Sequence, residues 1–264
     1  MTAPRARLDA ELVRRGLARS REQAGELVAA GLVAVAGQPA SKPATQVARD
    51  APITVTESGQ PAYVSRGGHK LAGAFETFTD LVVQGRNALD AGASTGGFTD
   101  VLLRAGAAHV VAADVGYGQL AWSLRTDPRV TVMDRVNVRA LGPVTPVPDL
   151  VVADLSFISL TLVLPALAAA ATPEADFVLL VKPQFEVGKA RVGAGGVVRD
   201  TTDRSAAVEK VAGAAAELRL GVRGITASPL PGPAGNVEYF LWLRRGAPPL
   251  DQEQLRRAIE EGPT

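Results

Sequence analysis

From Val64 onward, short apolar runs alternate with helix-length segments, and several runs stop at a charged residue. Leu150-Val151-Val152-Ala153 meets Asp154, and Phe177-Val178-Leu179-Leu180-Val181 meets Lys182. Runs that are apolar at every position, rather than at every second one, belong to strands covered on both faces. Strands of that kind separated by helices make a mostly parallel α/β sheet. Strands are expected at Asn87 to Asp90, His109 to Asp114, Val130 to Met133, Leu150 to Asp154, Phe177 to Lys182, Val222 to Ser228 and Val237 to Leu243. Helices are expected at His69 to Phe78, Phe98 to Ala105, Gln119 to Leu124, Ser159 to Ala170 and Asp203 to Leu218. Only the loop Pro229 to Asn236 separates the last two strands, so they read as an antiparallel hairpin at or near a sheet edge.

Between the first strand and its helix lies Asp90-Ala91-Gly92-Ala93-Ser94-Thr95-Gly96-Gly97-Phe98. A tight small-residue turn from strand to helix presents backbone N–H groups to the polar end of a nucleotide-like ligand. A dinucleotide site needs glycine at the first, third and sixth positions, so that backbone touches a pyrophosphate. Gly92 and Gly97 meet that need, but the middle position is Ser94. Asp90 stands where a pyrophosphate would be repelled and where a cationic head is welcome. The amino acid end of S-adenosylmethionine has such a head, and this is the ligand we expect. In open parallel sheets ligands bind at the carboxyl ends of the strands. Asp114 ends the second strand and suits two ribose hydroxyls, and Asp134 just past the third suits an adenine amino group. Aspartates at strand ends also serve as turn and capping residues.

The first sixty residues have a different character. Up to residue 21, Arg5, Arg7, Arg14, Arg15, Arg19 and Arg21 are opposed only by Asp9 and Glu11. Ser20 and Gln23 make a capping box for a helix from Arg21 to Ala30, with Gly31 as its stop. Short strands follow at Leu32 to Ala36 and Ile53 to Thr56, and Ser58-Gly59-Gln60-Pro61 reads as a linker. The expected organisation is a basic α+β module at 1–60, a junction at 61–64, a catalytic domain at 65–246 and a polar C-terminal tail at 247–264 with one short helix. The formal net charge of the chain is only +1, so local clusters rather than global charge point to partners. The cluster here suits phosphates, with Arg66 extending it. With no cysteine there are no disulfides or thiolate metal sites. No export signal is visible at the charged N-terminus, and Ile158 to Ala171 is too short to span a bilayer. We therefore expect a cytoplasmic protein acting as a monomer without a metal.

Lys182 ends a buried strand, Asp154 ends another, Glu238 lies in the last strand and Lys70 opens the catalytic domain. A buried ammonium must be paired or lose its proton. A ribose hydroxyl is a poor nucleophile that needs a base, and an unperturbed lysine, with a pKa of about 10.4, is mostly protonated at neutral pH. A neighbouring cation and partial burial favour the neutral amine, while carboxylates orient it. The competing reading is an ion-pair network beneath the sheet rim.

Ser65-Arg66-Gly67-Gly68-His69-Lys70-Leu71, the loop from Asp90 to Phe98, Asp114 to Leu120, Asp154 to Ser159, Val181 to Glu186 and Gly235 to Phe240 together resemble the TlyA-type ribosomal RNA methyltransferases, a group also called haemolysins. The resemblance runs across essentially the whole chain. It implies a class I, Rossmann-like, seven-stranded FtsJ-like methyltransferase domain preceded by an S4-type RNA-binding domain. It also implies S-adenosylmethionine as cofactor and ribosomal RNA cytidine 2′-hydroxyls as substrate. The Lys-Asp-Lys-Glu tetrad of the FtsJ-like enzymes falls on Lys70, Asp154, Lys182 and Glu238, with Lys182 in the base role. Members carry Arg and Trp at the junction, where this chain has Pro61-Ala62-Tyr63-Val64. A small-molecule methyltransferase would explain the loop but not the basic module. A haemolysin-like membrane-active protein would need an apolar segment that the sequence does not show.

Overall fold

The computed structural model describes residues 5–29, 31–55 and 63–263. The expected linker at Ser58 to Pro61, with Thr56, Ala62 and Ala30, lies outside them. The chain divides into two compact units, Met1–Ala62 and Tyr63–Thr264.

In the first unit, β1 (Arg5–Arg7) runs into α1 (Leu8–Arg14), followed by α2 (Arg21–Ala29), β2 (Val33–Val35), β3 (Gln38–Pro39), β4 (Gln46–Ala48) and β5 (Ile53–Val55). Leu8, Leu12, Ala24, Val28, Val33 and Val47 form its core. The Ser20 hydroxyl accepts from Gln23 N at 3.1 Å, as a capping box requires, but the Gln23 side chain reaches back to Arg19 N rather than to Ser20 N. Strand β1 pairs antiparallel with β4, so Arg5 and Arg7 lie on a strand.

The second unit holds α3 (Gly67–Thr77), β6 (Asn87–Ala91), α4 (Gly97–Arg104), β7 (His109–Asp114), α5 (Trp122–Arg125), β8 (Val130–Asp134) and β9 (Leu150–Ala153). It continues through α6 (Leu164–Ala170), β10 (Asp176–Val181), α7 (Pro183–Glu186), α8 (Thr201–Glu217), β11 (Leu220–Ala227), β12 (Tyr239–Arg245) and α9 (Gln252–Glu260). Its seven-stranded sheet has the order β11-β12-β10-β9-β6-β7-β8. Strands β10, β9, β6, β7 and β8 are mutually parallel, and β12 is antiparallel to both of its neighbours.

Alternation along each strand feeds two cores. Leu150, Val152, Val178 and Leu180 face a layer containing Leu71, Ala74, Phe98 and Leu102 of α3 and α4. Val151, Ala153, Phe177 and Leu179 face Leu164, Leu167, Val208, Val211, Leu255 and Ile259 of α6, α8 and α9. Helix α9 thus belongs to the body of the unit: Leu255, Ala258 and Ile259 are buried, and Val222 N of β11 donates to Pro248 O at 2.7 Å. The polar look of residues 247–264 conceals one apolar stripe that closes the sheet.

Two expected boundaries move in ways that matter for function. Glu238 precedes β12 instead of lying within it, because the ladder with β10 begins at Tyr239 opposite Val181. Asp134 is the last residue of β8, paired in register with Asp114. Strand order reverses between β6 and β9, the switch point at which open parallel sheets hold ligands.

Candidate active site

At the switch point, β6 delivers Asp90 into a fully buried position. Thr99, one turn into α4, donates from its hydroxyl to Asp90 Oδ2 at 2.6 Å. Asp90 Oδ1 is buried with no hydrogen-bond partner among the described residues. Burial pushes the Asp90 carboxyl up to about 7; the Thr99 hydrogen bond opposes the rise, and the nearby Asp154 and Asp114 charges add to it. An acid in that state lacks a cation.

The loop that follows is held by its own backbone. Gly92 N and Ala93 N donate to Ala113 O, Ser94 N donates to Asp114 Oδ2, and Gly96 N donates to Ala93 O. The sequence alone suggested that these amides would face a ligand; four of them are already engaged. Glycine is required at Gly96 and Gly92, whose φ angles are +99° and +87°. A Cβ at Gly92 would stand 2.7 Å from Asp154 O. Gly97 has a different constraint, since a Cβ there would come within 2.8 Å of Gly68 N at the start of α3. Ala93, Thr95 and Phe98 complete the turn, with Phe98 and Ala93 in the core against α3.

Asp114 accepts from Ser94 N and Gly116 N, one on each oxygen, and each oxygen keeps a second lone pair for a ribose hydroxyl. Asp134 forms an ion pair with Arg125 at 3.0 Å, a structural partner not visible in the sequence. Val115, Tyr117, Trp122 and Phe157 are large apolar side chains exposed around this rim.

The four polar residues of the proposed tetrad resolve into two pairs, with Lys70, Glu238 and Lys182 buried and Asp154 half-buried. Lys70, on α3, lies 2.6 Å from Glu238 Oε2. Lys182 follows β10, and its Nζ lies 2.6 Å from Asp154 Oδ1 as an ion pair, off the direction of a hydrogen bond to that oxygen. Lys182 Nζ also donates to Ser156 Oγ at 2.9 Å. Register brings the pairs to one rim: Val181 opposes Tyr239, Leu179 opposes Ala153, and Ala91 opposes Ala153. Glu238 Oε1 is likewise buried without a hydrogen-bond partner among the described residues.

The second unit matches the model of the FtsJ-like methyltransferases over residues 63–245, and residues 6–53 match that of the S4 domain. The 16S/23S rRNA (cytidine-2′-O)-methyltransferase TlyA of Mycobacterium tuberculosis is 61% identical over 269 residues, covering 99% of this chain and 100% of that protein. The chain belongs to the TlyA family of FtsJ-like methyltransferases. YqxC of Bacillus subtilis is 42% identical over 270 residues, 99% of this chain and 95% of that one. The structure of a hemolysin-named protein of Streptococcus thermophilus superposes with a TM-score of 0.77 at 39% identity, covering 98% of this chain and 97% of that one.

FtsJ-like methyltransferases use S-adenosylmethionine, and the unpartnered, buried oxygen of Asp90 beside a glycine-lined turn fits its cationic amino acid end. In this TlyA-family chain the structure adds side chains that sequence reasoning missed. Thr99 orients Asp90, Ser156 supports Lys182, and Glu186 is buried beside both segments. Ser156 and Glu186 had no sequence signal beyond membership in the quoted motifs, and Thr99 follows the quoted loop directly.

The basic module is more ordered than a charged surface suggests. Asp9 and Glu11 are buried, and each holds two arginines: Arg7 and Arg21 on Asp9, Arg14 and Arg15 on Glu11. These partners hold the Asp9 carboxyl well below its usual range and bring Glu11 to about 2. Four guanidiniums on two carboxylates leave two net positive charges in fixed places. Arg15 also donates to Ala51 O and Arg49 O. Arg5 is exposed on β1. Arg66, in the second unit, donates to Pro231 O. No helix among the described residues is long and apolar enough to cross a membrane.

Proposed function

We propose that this chain is a 2′-O-ribose methyltransferase acting on cytidines of ribosomal RNA, with Lys182 as the base. The observation that carries the reading is the buried Lys182 ammonium between Asp154 and Ser156, at the rim shared with the Lys70–Glu238 pair and with Asp90. S-adenosylmethionine, when bound, supplies an electrophilic methyl group. Asp90 would hold its ammonium, Asp114 the ribose hydroxyls and Asp134 the adenine edge, with Gly92, Ala93, Ser94, Thr95, Gly96, Gly97 and Phe98 forming the seat.

The chain's own chemistry concerns the proton. In its neutral form, Lys182 Nζ takes the 2′-hydroxyl proton as the oxygen attacks. Ser156 accepts one Nζ hydrogen and the Asp154 charge holds the group in place, which together aim the Nζ lone pair. Lys70 contributes positive charge at the same rim, and Glu238 fixes its place. The fixed guanidiniums of Arg7, Arg14, Arg15 and Arg21, with Arg5, Arg19 and Arg66, suit RNA phosphates. The relatives' names supply the substrate class, and the S4 match supports RNA binding. We place the protein in the cytoplasm, as a monomer that needs no metal.

The test is Lys182→Ala with purified ribosomal subunits and labelled cofactor. Methyl transfer should fall by about 1,000-fold or more, in the upper range for a lost base, while calorimetry shows cofactor affinity within about twofold of the parent. Methylation at the parent rate would overturn the mechanism.

A further inference from the structure

We propose that Glu186, anchored by Lys210, is a positioning residue that braces the two chain segments carrying Asp154 and Lys182; the inference rests on the base role of Lys182. Beyond the ends of β9 and β10 no ladder holds the chain. Residues 155–159 are irregular before a single 3₁₀ turn at Leu160–Leu162, and α7 is four residues long. Yet Lys182 must meet Asp154 and Ser156 across this gap.

Glu186 crosses it a second time. Its Oε1 accepts from Leu160 N at 2.7 Å, and its Oε2 accepts from the Ser159 hydroxyl at 2.5 Å. Lys210, from α8, lies 3.3 Å from Oε2 and donates to Glu186 O at 2.8 Å. Glu186 is 4% exposed, and neither of its carboxylate oxygens lacks a donor. The two segments are therefore tied once at Lys182 and again at Glu186. Between the ties sits Phe157, 91% exposed with φ +63°, its ring 5.2 Å from that of Phe185 on α7. A bulky residue in left-handed backbone persists only where its surroundings over-determine it. Ser156 on one side and Ser159 on the other are the points where that determination is applied.

A brace differs from a mere stabiliser in what it moves. Full-length Glu186→Ala, assayed on ribosomal subunits, should lose kcat by about 100-fold while its cofactor Kd stays within about twofold. Its pH midpoint for kcat should shift downward, because a loosened Asp154 contact favours the ammonium less. Glu186→Gln keeps an acceptor for Leu160 N and a group to meet Ser159, and should recover most of the rate. Lys210→Met separates geometry from charge. Removing a cation should raise the midpoint if the effect acts only through space, and loss of the brace should lower it.

An unchanged midpoint in all three variants overturns the proposal, as does an upward shift in Lys210→Met. If Glu186→Ala does not fold, Glu186→Gln and Lys210→Met still decide. Active Lys182→Ala sinks the parent reading and the brace together. Inactive Lys182→Ala beside unaffected Glu186 variants sinks the brace alone.

Discussion

Asp90 carries a charge only when something compensates it. The Thr99 hydroxyl donates to one of its oxygens, and two other carboxylates lie in its field. Its folded value of about 7 stands above the ordinary aspartate pKa of about 4. Between those values the folded chain holds a proton that the unfolded chain has released. Stability without cofactor must therefore fall as pH rises through that window. The cofactor's ammonium requires the ionised form, so its affinity should rise over the same window and level off above it. At pH 6 the Kd should be about tenfold weaker than at pH 8, with about one proton released on binding. Calorimetry in two buffers of different protonation heat measures both quantities. A flat Kd would show that Asp90 is already ionised before binding. Asp90→Asn, which keeps an acceptor for Thr99, should bind weakly and without this pH dependence.

At the scale of elements, β9 and β10 were legible because their apolar runs, Leu150 to Ala153 and Phe177 to Val181, each stop at a charge. The stretch from His109 to Asp114 was assigned to its last residue. Among short elements, β2 and β5 were expected, but others were not. Strand β1, three residues of alternating arginine, reads as a helix lead-in until its long-range partner β4 is known. Glu238 reads as a strand residue because an apolar residue precedes it, yet the ladder begins one residue later. The tie from Glu186 to Ser159 and Leu160 depends on two segments meeting in space, and no local pattern encodes it. Helix α9 was visible as a helix but not as core, since one stripe of Leu255, Ala258 and Ile259 is diluted by charged neighbours. That burial has a measurable weight. Leu255→Ala should lower unfolding stability by about 2–5 kcal/mol, read from urea midpoints at constant slope. A loss below about 0.5 kcal/mol, as at an exposed position, would place α9 outside the core.

Across the whole molecule, the two units carry different parts of the work. All the proposed cofactor and tetrad residues lie in the second, which has its own sheet and a core on each face. The buried acid–arginine clamps lie in the first, which has a separate small core. The second unit should therefore fold without the first, provided the cut spares Tyr63 and Val64. Val64 N donates to Asp100 Oδ2 on α4 at 2.9 Å, and the Tyr63 ring meets His69 edge-on at 5.0 Å, beside Lys70. A chain of residues 63–264 should show a single cooperative transition and bind S-adenosylmethionine within about threefold of the full protein, while methylating ribosomal subunits on the order of 100-fold more slowly for want of phosphate contacts. That deficit should shrink as salt is raised, because the missing affinity is largely electrostatic and salt takes it from the full protein as well. If the shortened chain matches the full protein on ribosomal subunits, the arginine clamps do not dock substrate. If it methylates free cytidine as fast as the full protein methylates RNA, the acceptor is a small molecule and the basic module serves another end.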